Sequence, residues 1–501
     1  MSLEATEKAF YQLLGKIAHY TEALHLLYWD SRTQAPKKSA DFRAETIGQL
    51  SSDIFNMKTS DEMRNLLLAL NKHRDELSKD TQKALELSQK EYDENSKIPK
   101  EEFKEYSILQ SKAEHVWVEA REKSDFSLFA PYLKQLIDFN KRFIQYWGVK
   151  KTPYDVLLNN YEPDMTVEQL DQKFGALRDA IVPLVKKIEA SPNKPDTSFL
   201  SKSFPIDKQK ELSLFFLKEL GYDFDAGRLD TTVHPFAVTL SRGDVRVTTR
   251  YDERDFRMAI FGTIHECGHA IYEQNIDEAL SGTLLCDGTS MGIHESQSLF
   301  FENFIGRHED FWKTYYQKLQ EASPEQFKDV SLEDFVHAVN ESKPTYIRIE
   351  ADELTYPLHI IIRYEIEKAI FNEEVAVEDL PALWNEKYQA YLGITPPNDA
   401  LGILQDVHWS DGSFGYFPSY ALGYMYAAQL KQQMIKDLPN FDELIQNGSF
   451  APIKEWLTEH VHQHGKRKKP SEIIQDATGE ELNVQYLIDY LTDKYTKLYL
   501  S

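Results

Sequence analysis

The run His265-Glu266-Cys267-Gly268-His269 constrains this chain more than any other stretch. On an α-helix the two histidines, four positions apart, share one face, and the carboxylate of Glu266 lies beside them. A zinc hydrolase sets out two imidazole ligands in this way, with a base that takes a proton from a water activated by the ion. A pattern this short also arises by chance, so its surroundings decide. From Arg257 to Gln274 there is no proline, Met258, Phe261, Ile264 and Ile271 recur at helical spacing, and the acids Asp252 and Glu253 stand ahead of them. The run is expected to be helical. Gly262 and Gly268 each cost a helix interior about 1 kcal/mol relative to alanine, which is understandable where another backbone passes close to the helix.

Two imidazoles leave a catalytic zinc short of one protein ligand and of an open position for water. The compact continuation that supplies a third histidine is excluded, because Tyr272 and Asn275 stand where its glycine and histidine belong. The next candidate is the segment from Met291 to Phe304, which follows the turn Asp287-Gly288-Thr289 and reads as a second helix. Glu295 lies in its first turn, with Leu299 and Glu302 further along the same face, and is the expected third ligand. His294 competes for that role but points about 100° away around the helix. The other reading of Glu295 is a favourable interaction with the positive end of its own helix.

With 501 residues and no Pro/Ser-rich linker or low-complexity tract, the chain reads as one large body. Its 21 glycines and 20 prolines are few for that length. Met63 to Asn95 and Glu101 to Lys123 combine dense charge with apolar residues at helical intervals, so the expected fold is predominantly α-helical. A net charge of −24 argues against nucleic acid as a partner, since phosphate is bound through excess lysine and arginine. The opening residues lack the apolar core of a secretory signal and no run reaches the ~18 apolar residues of a membrane span, so a cytoplasmic location without a membrane partner is expected. Two cysteines are too few for a disulfide framework, and Cys267 is expected to be an inert buried thiol.

Ahead of the histidine helix, Val238 to Thr249 places two β-rich runs around Arg242-Gly243-Asp244 and predicts a hairpin. Its edge would suit an extended peptide and account for the two glycines. Further on come Tyr346 to Asp352, Gly402 to Trp409, Gly415 to Tyr420, and Gly423-Tyr424. An enzyme that trims peptides from their C-terminus needs a planar cation to grip the terminal carboxylate, which arginine supplies better than lysine. A developing oxyanion also needs a Tyr or His donor. Composition alone would assign any single Arg or Tyr here to a surface pair or to packing.

The ordered blocks His234-Pro-Phe236, Asp244-Val-Arg246-Val-Thr248, His265 to His269, His294-Glu-Ser-Gln297, Ile347-Arg348 with Ala351-Asp352, and Gly402 through Gln405-Asp406 to His408-Trp409 span most of the chain. Leu27-Tyr28-Trp29-Asp30 and Arg43-Ala44-Glu45 add an N-terminal block. Together they resemble the Taq-type thermostable carboxypeptidases, zinc metallocarboxypeptidases with a helical fold similar to neurolysin and the angiotensin-converting enzymes. The resemblance implies His265, His269 and Glu295 as metal ligands, Glu266 as catalytic base, and Arg348 as the group that recognises the substrate's terminal carboxylate. It also implies places near the pocket for His234, Asp244, Arg246, Thr248 and His408. Tyr416, Tyr420 and Tyr424 are its candidates for the oxyanion donor, with Tyr420 preferred. It further implies a long groove covered by N-terminal helices, a homodimer, zinc replaceable by cobalt, and removal of single residues from peptides with a free C-terminus. Residues 1–501 then form one metallopeptidase domain, with 1–230 covering the groove, 231–430 forming the catalytic core and 431–501 adding C-terminal helices.

Three rival readings follow from the residues. Gly288-Thr-Ser-Met-Gly292 matches the nucleophile elbow of serine hydrolases, which needs a strand before it and a parallel sheet around it. An endo-oligopeptidase would keep the metal site and cut within peptides. A non-catalytic helical scaffold would use none of this chemistry.

Overall fold

The N-terminal half is built from helices whose ends are written in the sequence. In the computed structural model, which describes residues 2–233, 235–373 and 375–501, the charged stretches form helices Asp61–Asn71, Lys79–Lys97 and Lys100–Lys123. Ser60 and Ser78 cap the first two by accepting from the backbone N–H three residues on. Met63, Leu66, Leu67 and Leu70 bury one face of the first, while its charged residues stay outside. Helices Phe126–Trp147, Pro153–Tyr161 and Val167–Ala190 continue the pattern. About 70% of the chain is helical, and the described residues add one small sheet of three strands. No helix among the described residues is long and apolar enough to cross a membrane.

The predicted hairpin is present as β2 (Ala237–Ser241) and β3 (Asp244–Thr249), paired antiparallel with Val238 opposite Arg246. A third strand, β1 (Leu229–Thr231), runs parallel to β3 and makes β3 the centre of the order β1-β3-β2. Three residues are too few for periodicity to reveal a strand. The sheet braces the histidine helix: the Thr263 hydroxyl donates to that of Thr249 at 2.9 Å.

The histidine helix is α-helical over Thr263–Gln274 and is preceded by a wider π-turn, Met258–Gly262, so the expected continuous α-helix is interrupted. The helix Met291–Leu299, which carries Glu295, begins at its cap Ser290 and passes into a second π-segment, Phe300–Gly306. Gly268 faces the Glu295 helix and not the hairpin. A Cβ there would lie 2.3 Å from the Gln297 carbonyl oxygen and 2.6 Å from Ser298 Cα. Gly262 has a different surrounding from the one expected, since its nearest atom is the sulfur of Met258, one turn back in its own chain. Helix Pro418–Asp437 also packs on the Glu295 helix, and a Cβ at Gly423 would come within 2.6 Å of Glu295 Cβ.

A buried carboxylate ties this core to the C-terminal loops. Glu367, on helix Tyr356–Asn372, accepts from the Tyr154 hydroxyl at 2.5 Å, the Trp409 indole at 2.7 Å and the Gly415 N–H at 2.8 Å. Gly268→Ala should therefore destabilise the protein despite alanine's better helix propensity, because overpacking against fixed backbone costs about 1–3 kcal/mol. A thermal melt and a metal titration on the variant would show a lower Tm together with weaker metal binding.

Candidate metal centre

One donor atom from each of His265, His269 and Glu295 lies within 4.8 Å of the other two. His265 Nε2 is 3.9 Å from Glu295 Oε1, and His269 Nε2 is 3.6 Å from Glu295 Oε2. Ligands about 2.0–2.2 Å from a tetrahedral ion stand roughly 3.4 Å apart, so this set fits a divalent ion after a small contraction. The opposite ring nitrogens are already committed. His265 Nδ1 lies 2.9 Å from Glu302 Oε2, and Glu302 Oε1 in turn accepts from Arg307 at 2.9 Å. His269 Nδ1 lies 2.7 Å from His294 Nδ1, and His294 Nε2 lies 2.8 Å from Glu273 Oε1. Protons on Nδ1 of His265 and His269 and on Nε2 of His294 satisfy both chains and leave the Nε2 lone pairs of His265 and His269 facing the Glu295 carboxylate. His294, the competitor for the ion, stands behind His269 and braces it.

The electrostatics favour a cation. Burial opposes a charge on His265, but the carboxylates of Glu295 and Glu302 outweigh it and raise the imidazole to about 10. His269 is held well below its ordinary value by burial and by the neighbouring His294 and His265. Glu302 is lowered to about 2 in spite of burial, by its bonds from His265 and Arg307. Burial raises the Glu266 carboxyl to about 7, with Glu295 adding to the effect and His265 opposing it. Cys267 is fully buried and its thiol is pushed up by desolvation, which agrees with an inert role.

A second cluster gathers around Arg348. Its backbone N–H donates to Gln405 Oε1 at 2.8 Å, its Nε to Asp406 Oδ1 at 2.9 Å and its Nη1 to the Tyr356 hydroxyl at 3.2 Å. No described residue accepts from its Nη2. The guanidinium lies over the Tyr420 ring, 4.9 Å from the centroid, and the Tyr420 hydroxyl is 3.2 Å from His408 Nε2. Tyr416 packs on Tyr420 with ring centroids 5.3 Å apart. Arg348 is among the groups that lower the Glu295 carboxyl, against the stronger effect of burial, which links this cluster to the candidate metal site.

Other predicted residues lie elsewhere. Tyr424 is buried beneath Phe304 and gives its hydroxyl to Glu353, away from Tyr416 and Tyr420. Four residues after Tyr420, it lies one turn further along the same helix, at the level of Glu353. Asp244 and Arg246 pair with each other, and Arg246 lies over Trp29. The Thr248 hydroxyl is spent on the backbone of Phe236, where it accepts from N–H and donates to C=O. His234 lies outside the described residues. Ser290 caps a helix in place of ending a strand, and the only sheet among the described residues has three strands, so the serine-hydrolase reading has no scaffold. Sequence reasoning missed Arg363, whose guanidinium meets Asp406 at 2.6 Å. Its signal was a lone charge inside the apolar run from Leu358 to Tyr364.

A family model described as carboxypeptidase Taq (M32) metallopeptidase matches residues 9–495. The chain belongs to that family. Carboxypeptidase 1 of Bacillus subtilis (strain 168) is 71% identical over 500 residues, covering 100% of both chains. Thermostable carboxypeptidase 1 of Thermus thermophilus is 38% identical over 511 residues, again covering 100% of each. The crystal structure of the M32 carboxypeptidase from Deinococcus radiodurans R1 superposes with a TM-score of 0.96 at 35% identity, covering 99% of this chain and 100% of that one. As an M32 member the chain is a metallocarboxypeptidase, an enzyme that hydrolyses peptides from the C-terminus. Glu302→Ala should weaken metal affinity about 10–100-fold, because His265 loses the partner that orients it. Competition with a chromogenic chelator measures this without recourse to activity.

Proposed function

We propose that the chain is a zinc carboxypeptidase in which His265, His269 and Glu295 hold the ion, Glu266 is the general base and Arg348 receives the terminal carboxylate of the substrate. The observation that carries the reading is the state of Arg348. It is buried, it shares its carboxylate partner with a second arginine, and its Nη2 has no partner among the described residues. Two guanidiniums on one carboxylate leave an unbalanced positive charge, which a peptide's terminal carboxylate would neutralise through charge-assisted bonds.

Zinc, with cobalt as a substitute, would supply Lewis acidity that polarises the scissile carbonyl and acidifies the attacking water. Glu266, next to His265 in sequence and buried, takes the water's proton and passes it to the leaving amine. Burial, with Arg348 and Arg363 adding, lowers His408 to about 4 and keeps it neutral. His408 Nδ1 is buried without a partner, so a proton there would be an unpaired donor. The tautomer with the proton on Nε2 donates to the Tyr420 oxygen and frees the Tyr420 O–H for a developing oxyanion. Tyr420 is raised to about 12, mainly by burial, and so keeps its proton. Tyr416 flanks it.

The same reading makes residues 1–501 one metallopeptidase domain: 1–230 cover the groove, 231–430 carry the chemistry and 431–501 pack behind it. It places Asp244, Arg246 and Thr248 in the wall of that groove as structural members. It also takes the enzyme to be a cytoplasmic homodimer that acts on peptides with a free C-terminus.

Mass spectrometry of a model peptide, supplied as the free acid and as the C-terminal amide, tests the reading. A ladder shortening from the C-terminus, abolished by metal removal and slowed at least about 100-fold by amidation, is expected; equal cleavage of the two forms would refute the role of Arg348. Glu266→Gln should retain one zinc per chain by elemental analysis while losing about 100-fold or more in kcat. Substantial residual turnover would reassign the base.

A further inference from the structure

Arg363 is fully buried on helix Tyr356–Asn372, and its donors are spent inside the protein. Its Nε reaches Asp406 Oδ2 at 2.7 Å, its Nη2 reaches Gln405 Oε1 at 2.7 Å, and its Nη1 reaches the His359 carbonyl at 2.8 Å. The guanidinium lies 4.6 Å from the Trp384 ring centroid. It has no surface to offer a substrate.

Its effect falls on Arg348. An arginine facing a carboxylate tends to form two parallel bonds, one to each oxygen. Here Asp406 gives only Oδ1 to Arg348 Nε, because Oδ2 is engaged by Arg363. Gln405 Oε1 fixes the alignment further by accepting both from the Arg348 backbone and from Arg363 Nη2. If Arg363 were absent, Asp406 would be free to turn its second oxygen onto Arg348 Nη2, cancelling the charge and covering the donor left open in the present arrangement.

We infer that Arg363 is a positioning residue for recognition of the substrate's terminal carboxylate: it occupies the second oxygen of Asp406, so that Arg348 stays singly bonded, charged and open. The inference rests on the reading of Arg348 as the carboxylate clamp. Steady-state kinetics of the metal-loaded full chain on one peptide, as free acid and as amide, separate the two. Arg363→Met should raise KM for the free acid about tenfold with kcat within about twofold, the pattern of lost uniform binding, and leave the amide almost unaffected. Arg363→Lys, which keeps the charge but loses the fork, should give a smaller rise. Adding Asp406→Asn to Arg363→Met should lower KM again, since no carboxylate then remains to cover Nη2; a purely structural Arg363 would leave the double variant no better than the single. If circular dichroism shows that Arg363→Met does not fold, Arg363→Lys decides. Wild-type indifference to amidation would overturn the clamp and this inference with it. A wild-type preference that survives both Arg363 substitutions unchanged would overturn this inference alone.

Discussion

The missing side chain at Gly268 is the constraint on which the metal centre depends. It lets the backbone at Gln297 and Ser298 pass where a Cβ would otherwise stand, and so sets the distance between the histidine helix and the helix bearing Glu295. Gly423 performs the same service for helix Pro418–Asp437, which also packs on the Glu295 helix. Held between two close neighbours, that helix has little freedom to shift, and the carboxylate it carries stays within reach of both imidazoles. The helix-propensity cost of a glycine one position before His269 is offset by this packing.

Two charge patterns grow out of that frame. The metal centre gathers Glu266, Glu295 and Glu302, and its affinity for positive charge is visible in the proton that His265 would otherwise hold. The neighbouring cluster reverses the sign, with Arg348 and Arg363 sharing the single carboxylate of Asp406. In the proposed reading, a substrate presents a carbonyl to the first and a carboxylate to the second. The two patterns are braced by crossed hydrogen bonds: His294 comes from the Glu295 helix to support His269, and Glu273 comes from the histidine helix to support His294.

Much of this was legible in the residues. The four-residue spacing of His265 and His269 required a shared helix face, the charged stretches declared their helices, and Glu295 followed from its place in the first turn of the next helix. The hairpin was readable because alternating β-branched runs flank Arg242-Gly243-Asp244. Other features were not. The strand β1 is three residues long, the π-turns before and after the key helices leave no periodic mark, and the Gly262 neighbour is its own Met258. Tyr424 looked equivalent to Tyr420 in an aromatic segment, yet it lies one helical turn further along and meets Glu353.

By itself the sequence determined a helical chain, an acid-rich composition and a helix with two histidines on one face, because helical periodicity and residue chemistry are local properties. Only the tertiary structure decided which of those residues meet. That Asp406 is shared between Arg348 and Arg363, that His408 leans on Tyr420, and that Glu302 stands behind His265 depend on contacts between segments 37 to 58 residues apart or on the packing that turns a side chain inward. Such pairings are set by the shape-filling of the core, and no local rule reads them from the chain.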